Sequence, residues 1–116
     1  MANNIAFQPM GNCVRVQVTG AANTQSNVFT ITATSPVNQY FISNADANYA
    51  VYVWISPTNN FNVALPDGNP VNVIALPPYA YKVISGPQVS QTGNVYARVI
   101  GDSANASVYI TPGEGL

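Results

Sequence analysis

Apolar and polar residues alternate along this chain in short stretches. Val14, Val16 and Val18 are separated by polar residues, and the same alternation recurs at 29–33 and 94–100. A repeat of two residues is typical of a strand with one buried face, and no stretch has the repeat of an amphipathic helix. The pattern predicts seven to nine short strands, at 14–18, 29–33, 39–43, 49–55, 61–65, 71–76, 79–84, 94–100 and 106–111.

These strands predict an all-β fold. Most prolines fall between them, and the strand spacing of roughly 8–12 residues is typical of a β-sandwich or barrel. We predict a single-domain antiparallel β-sandwich of about eight short strands at residues 13–116, since 116 residues fit one domain. The sandwich is expected to be jelly-roll-like. An immunoglobulin-like sandwich is the alternative, because the pattern does not encode strand order.

Residues 1–12 differ from the body and are predicted to form an extended N-terminal arm. This segment is polar, with Ile5 and Phe7 as isolated apolar residues, so it cannot make an independent element. It is either a frayed chain end or a peptide that docks on a neighbour with Ile5 and Phe7 as anchors.

The run at 49–55 is the strongest strand and is apolar on both faces. Such a strand lies between two layers, or between a core and a partner. Alternate residues from Val51 to Ile55 are expected to face the core, and Tyr52 and Trp54 to face solvent or a partner. A slip of one residue would reverse this assignment. Tyr and Trp are favoured in interface hot spots, so both are candidate partner contacts.

The composition argues against catalysis. The chain has no histidine and one cysteine, and charged residues are 6% of it, against about 25% in soluble domains. Acid–base, nucleophilic and metal chemistry need titratable groups held together. We therefore predict no enzyme, and no catalytic, cofactor-binding or metal-binding residue. The aspartates fall in predicted turns, where this residue usually bonds its own backbone. Cys13 is expected to be a small buried hydrophobe.

The charge balance restricts the partners. The net charge is −1 and the three cations are dispersed, so no basic face is available for nucleic acid or for a membrane surface. A net charge near zero gives little repulsion between copies, which favours a homo-oligomer, either dimer or trimer. The N-terminus lacks the regions of a signal peptide, and no apolar run reaches about 18 residues. We expect the protein to be made in a cytoplasm and to stay soluble or assemble there.

Several segments resemble small virion proteins of tailed bacteriophages. They are the opening MANNIAFQPMG at 1–11, the closing VYITPGEGL at 108–116, and VWIS at 53–56, VIALPP at 73–78 and VYARVI at 95–100. The resemblance covers essentially the whole chain, and its motifs contain no active-site chemistry.

The resemblance is to capsid decoration, or cement, proteins, which are often small β-sandwiches or jelly rolls on the outer shell. It implies a non-enzymatic protein that binds the outer face of the major capsid shell and stabilises the head. The major capsid protein would be its partner, and it would be made in the bacterial host cytoplasm. Candidate contacts are Ile5, Phe7, Tyr52 and Trp54.

Two alternatives remain open at this point. The first is a receptor- or glycan-binding β-sandwich module of a phage head or tail fibre. It predicts a concave aromatic cluster with Asn and Asp donors, in the loops at 59–62 and 67–72. The second is a β-sandwich accessory protein of the host.

Overall fold

The protein folds as antiparallel β-strands. A computed structural model describes residues 7–18, 21–33, 37–68, 72–89, 93–103 and 105–114. The strands are β1 (Gln8–Pro9), β2 (Val14–Gln17), β3 (Phe29–Ala33), β4 (Val37–Asn44), β5 (Val51–Ser56), β6 (Ile74–Leu76), β7 (Tyr81–Val89), β8 (Gly93–Gly101) and β9 (Ser107–Glu114). Within these ranges, no helix is long and apolar enough to cross a membrane.

The strands pair in a nested order. Strand β2 pairs with β9, β3 with β8, β4 with β7 and β5 with β6, all antiparallel. The chain is thus one long hairpin whose tip lies between β5 and β6. Rolling this hairpin up adds two further pairings, β4 with β9 and β5 with β8.

The rolled hairpin makes two sheets. We call β2-β9-β4-β7, with β1 also on β9, the front sheet, and β3-β8-β5-β6 the back sheet. This nested pairing is the topology of a jelly roll. It differs from the immunoglobulin sandwich, whose sheets group the strands as ABED and CFG. The predicted all-β antiparallel sandwich is confirmed, and the jelly-roll order is the one the chain adopts.

The core lies between the two sheets and is filled by alternate residues of each strand. Completely buried examples are Val16, Ile31, Tyr40, Ile42, Val53, Val99 and Ile110. β-Branched residues dominate because they pack well on a pleated surface. On β5, the residues from Val51 to Ile55 alternate as predicted, with Tyr52 and Trp54 half-buried on the outer side. The predicted register of this strand is confirmed.

Some local predictions were wrong. Residues 61–65 form a loop, and β7 continues past Gly86 and Pro87 to Val89. Proline is tolerated there because the pairing of β4 with β7 is irregular at this point and β7 is an edge strand. Cys13 is exposed, because it precedes β2 and takes no place in the core alternation.

The N-terminal segment is described from Phe7 onward. Gln8–Pro9 pairs with the end of β9 in the same chain, and the Met10 amide donates to the Pro112 carbonyl at 2.8 Å. Residues 1–6, including Ile5, lie outside the described residues. The role of residues 1–12 as an arm, and of 13–116 as the body, stays a prediction.

Candidate functional site

The outer surface of the front sheet carries a row of large apolar side chains. We call this surface, formed by Phe41, Tyr81, Val83 and Tyr109, the tyrosine face. Strand register brings it together: Tyr81 and Tyr109 both lie opposite Ser43, and Phe41 lies opposite Val83. Exposure is 70% for Tyr81, 42% for Val83 and 37% for Tyr109. An uncovered apolar surface of this kind is a candidate interaction site.

Ring contacts make the tyrosine face continuous. The rings of Phe41 and Tyr81 stack with centroids 5.9 Å apart and an interplanar angle of 18°. Phe7 approaches Phe41 from the other side, with the same centroid separation and an angle of 48°. At the rim, the guanidinium of Arg15 lies 5.7 Å from the centroid of the Tyr109 ring. The surface therefore combines fixed aromatic rings with a single cation at its border.

Part of the outer surface of the back sheet, around Arg98, is covered instead. Arg98 points outward from β8, and its Nε donates to the Ser26 carbonyl at 2.9 Å. Its Nη1 donates to the Phe61 carbonyl at 2.6 Å and to Oδ1 of Asn62 at 3.1 Å. These bonds tie two loops, at 21–28 and 57–66, across the sheet. Ile100, on the outer side of β8, is consequently only 5% exposed.

A buried amide organises one end of the sandwich. The Nδ2 of Asn44 donates to the carbonyls of Tyr49, Leu76 and Pro77 at 3.0, 3.0 and 3.2 Å. Its Oδ1 accepts the Asp46 amide at 2.9 Å. The Asp46 carboxylate in turn accepts the Tyr49 amide at 3.1 Å, the backbone-capping role expected of a turn aspartate. This buried polar group is satisfied and holds strand ends together, so it is structural.

A second buried polar group holds β7 against β4. The ring of Tyr40 lies so close to Gly86 that a β-carbon there would come within 2.8 Å of Cε2. The Tyr40 hydroxyl donates to the Pro87 carbonyl at 2.5 Å. Burial raises the pKa of Tyr40 to about 12. The hydroxyl therefore stays neutral at physiological pH and links β4 to β7 by its hydrogen bond.

A cavity of about 240 Å³ opens between β6 and β7, and we call it the side cavity. It lies where the free edge of the front sheet faces the free edge of the back sheet. Its lining is mainly apolar and consists of Trp54, Ile55, Pro57, Ile74, Ile84, Ser85, Gly86 and Pro87.

Metal ligands are not gathered in the part of the chain that the structure describes. No three His, Cys, Asp or Glu side chains there are arranged to hold a metal ion. One of the two loops expected to ring a glycan site is engaged elsewhere: Asn62 accepts from Gln25 at 3.0 Å as well as from Arg98, and Phe61 is half-buried. In the other loop, at 67–72, residues 69–71 lie outside the described residues.

The candidate contacts predicted from the sequence are not brought together. Phe7 lies beside the tyrosine face, whereas Tyr52 and Trp54 lie on the outer side of the back sheet, and Trp54 also borders the side cavity. Ile5 falls outside the described ranges. Their role as partner contacts stays a prediction.

Sequence reasoning missed the tyrosine face itself. The signal was present in the alternation of Tyr79, Tyr81 and Val83 with Lys82 between them. That alternation says that these residues share a side, but not which side faces out. Only the pairing of β7 with β4 decides this, because Ile42 faces the core and lies opposite Lys82.

Comparison of the chain with known protein families, with curated proteins and with solved structures gave no match.

Proposed function

We propose that the protein is a non-enzymatic capsid decoration, or cement, protein of a tailed bacteriophage. It binds the outer face of the major capsid shell and stabilises the head. It is made in the bacterial host cytoplasm and ends on the outer surface of the virion, with the major capsid protein as its partner.

The fold is compatible with this role. Jelly rolls occur in viral capsid and lectin domains, and the resemblance of the chain to small phage virion proteins points to the first of these settings. A fold hosts many functions, however, so the fold supplies analogy and the surface must supply the mechanism.

The tyrosine face is the observation that carries the proposal. Exposed Tyr81, Val83 and Tyr109 surround Phe41, and the one cation against them is Arg15 at the rim. Aromatic residues are enriched and most charged residues depleted in the centre of protein interfaces. A face of this composition works by burying apolar area against a partner. Many copies on one particle add their binding through avidity.

The N-terminal arm supplies a second contact in this proposal. Phe7 lies against Phe41, so the preceding residues start from the edge of the tyrosine face. Six residues reach at most about 20 Å when extended, which suffices to cross onto an adjacent subunit. Ile5 is then the anchor on that subunit. Deleting residues 2–6 leaves β1 intact and is expected to weaken capsid binding without unfolding the domain.

Co-sedimentation tests the proposal. Purified protein is mixed with phage heads that lack it, and the bound copies per major capsid subunit are counted at saturation. Saturation at a fixed ratio supports decoration, and the ratio indicates which symmetry axis is occupied. Absence of binding contradicts it. Binding to a glycan array together with absence of capsid binding favours the receptor- or glycan-binding module.

A further inference from the structure

The loop between β6 and β7 presents one aromatic side chain in an unusual way. Tyr79 has a φ of 60° and is 67% exposed. This left-handed conformation is sterically unfavourable for a residue with a β-carbon. The turn is fixed by the Ala80 amide bonding the Pro77 carbonyl at 2.9 Å, and by the Tyr79 amide bonding the Asp46 carbonyl at 3.1 Å. These two hydrogen bonds hold the backbone that presents Tyr79, and we call the exposed Tyr79 side chain the knob.

The side cavity is large enough for such a knob. A dry apolar cavity of about 150 Å³ already binds benzene, and the side cavity measures about 240 Å³. The described residues that line it carry no charge, and Ser85 adds a hydroxyl to the lining. A phenol ring, with an apolar body and a polar tip, matches this lining.

Knob and cavity lie at opposite ends of the same side of the sandwich. Tyr79 is in the loop that leaves the end of β6, whereas the cavity is bordered by the first residue of β6, Ile74, and by the later part of β7. Five residues of β7, or about 17 Å, separate Tyr81 from Gly86. A two-fold axis midway between the ends places each knob opposite the cavity of the other copy. Such an interface is isologous, because the same patch serves both subunits.

From this arrangement we infer that the protein forms a two-fold homodimer through the β6–β7 side, with Tyr79 of each copy seated in the side cavity of the other. A second copy fits this side because the chain has a net charge of only −1 and the cavity lining is uncharged. The dimer goes beyond capsid binding and does not depend on it, since the tyrosine face is on the front of the sandwich.

The two copies meet through side chains and not by extending a sheet. Lys82 lies on β7 opposite Ile42, on the core side of an edge strand, and Pro87 lacks an N–H. Inward charges and prolines prevent edge strands from pairing with another chain. Lys82 lies between the knob and the cavity, so the two copies bring like charges near the axis. We expect Lys82→Gln to tighten the dimer.

Sedimentation of the full chain between about 1 and 200 µM tests the dimer without capsids. The wild type is expected to show a monomer–dimer equilibrium. Tyr79→Gly is expected to raise the dissociation constant at least about 100-fold, since both copies lose a buried ring. At a concentration where both proteins are monomeric, its melting temperature should not fall, because glycine accepts the local conformation. Tyr49→Ser, which removes an exposed tyrosine near the same end, is the matched control and should leave the constant unchanged.

Cross-linking tests the geometry. In a Cys13→Ser background, a Lys82→Cys variant, which keeps Tyr79 and lies near the proposed axis, is oxidised. A disulfide-linked homodimer is expected, and adding Tyr79→Gly to this variant should abolish most of the cross-linking. A wild type that stays monomeric throughout, an open series of larger oligomers, or equal effects of Tyr79→Gly and Tyr49→Ser would each overturn the inference. Because capsids are absent, any of these results leaves the capsid-binding test independent.

Discussion

The two outer surfaces of this sandwich are built from similar residues but differ in how far they are exposed to solvent. Tyr81 and Tyr109 on the front sheet stay exposed, whereas Arg98 on the back sheet hydrogen-bonds two loops and is partly covered by them. The difference arises from the connections, because the loop at 57–66 reaches Arg98 on the back sheet and the segment at 21–28 continues beside β8. Loop placement therefore determines how much of each outer surface of this sandwich stays exposed.

The two arginines that point outward, Arg98 on the back sheet and Arg15 on the front sheet, differ in the interactions they make. Arg98 makes three hydrogen bonds to backbone and amide oxygens, which lie on separate loops. Arg15 lies over the ring of Tyr109 at the border of an exposed surface. The first contributes to stability by satisfying loop carbonyls, whereas the second borders the exposed tyrosine face.

The largest expected effect is on capsid binding, which should depend on the tyrosine face and not on the back sheet. Tyr81→Asp places a charge in the tyrosine face and should weaken capsid binding at least about 100-fold, because a buried unpaired charge opposes association. The free energy of unfolding should change by less than about 1 kcal/mol, since Tyr81 is exposed. Quantitative co-sedimentation and urea unfolding measure the two quantities. Thr30→Asp, on an exposed position of the back sheet, is the control; equal losses of binding would show that the tyrosine face has no special role.

The next effect is on stability, which should depend more on the arginine of the back sheet than on the arginine of the front sheet. Arg98→Met removes three charge-assisted hydrogen bonds and should lower the free energy of unfolding by about 2–3 kcal/mol. Arg15→Met, its counterpart on the front sheet, should cost less than about 1 kcal/mol, the range of an exposed cation–π contact. Urea unfolding of both variants provides the comparison. Losses of the same size would contradict the view that only the back face is fastened by its arginine.

Alkaline pH tests how much Tyr40, in the core behind the tyrosine face, contributes to the stability of the fold. Below pH 10 Tyr40 is protonated in the folded and unfolded states alike, so its contribution to stability is fully present. Above pH 10 the unfolded state releases this proton first, because the folded pKa is about 12. The free energy of unfolding should fall by about 2 kcal/mol between pH 10 and 12.

The Tyr40→Phe variant isolates this group. It should start about 1 kcal/mol less stable through loss of the bond to Pro87, and should lack this part of the alkaline decline. Urea unfolding at a series of pH values measures both. A parallel decline of wild type and variant would show that Tyr40 does not account for the alkaline effect.

The smallest expected effect concerns the turn outside both faces. Tyr79→Gly should raise the free energy of unfolding of the monomer by about 1 kcal/mol, because glycine adopts a positive φ without steric cost. Thermal unfolding at low protein concentration measures it. A loss of stability would mean that the Tyr79 side chain supports the fold and is not simply presented to a partner.

Much of the architecture followed from the sequence pattern. The alternation from Val51 to Ile55 predicted the inward residues of β5 correctly. In a strand that borders a core, one set of alternate side chains faces the core and the other set faces away from it. The loop at 61–65 was mistaken for a strand, since Phe61, Val63 and Leu65 alternate in the same way. Val63 is buried in the loop, so alternation there reflects burial without sheet pairing.

The sequence by itself determined the class of fold, the inward residues of the central strands and the lack of histidine and of clustered charge. Those properties are local or compositional, so neighbouring residues suffice to reveal them. Tertiary structure alone decided the jelly-roll order, the exposure of Tyr81 and Tyr109, the covering of the back sheet around Arg98 and the placement of Tyr79 away from the side cavity. Each of these depends on pairings between residues far apart in the chain, and a two-residue repeat contains no information about which strand lies beside which.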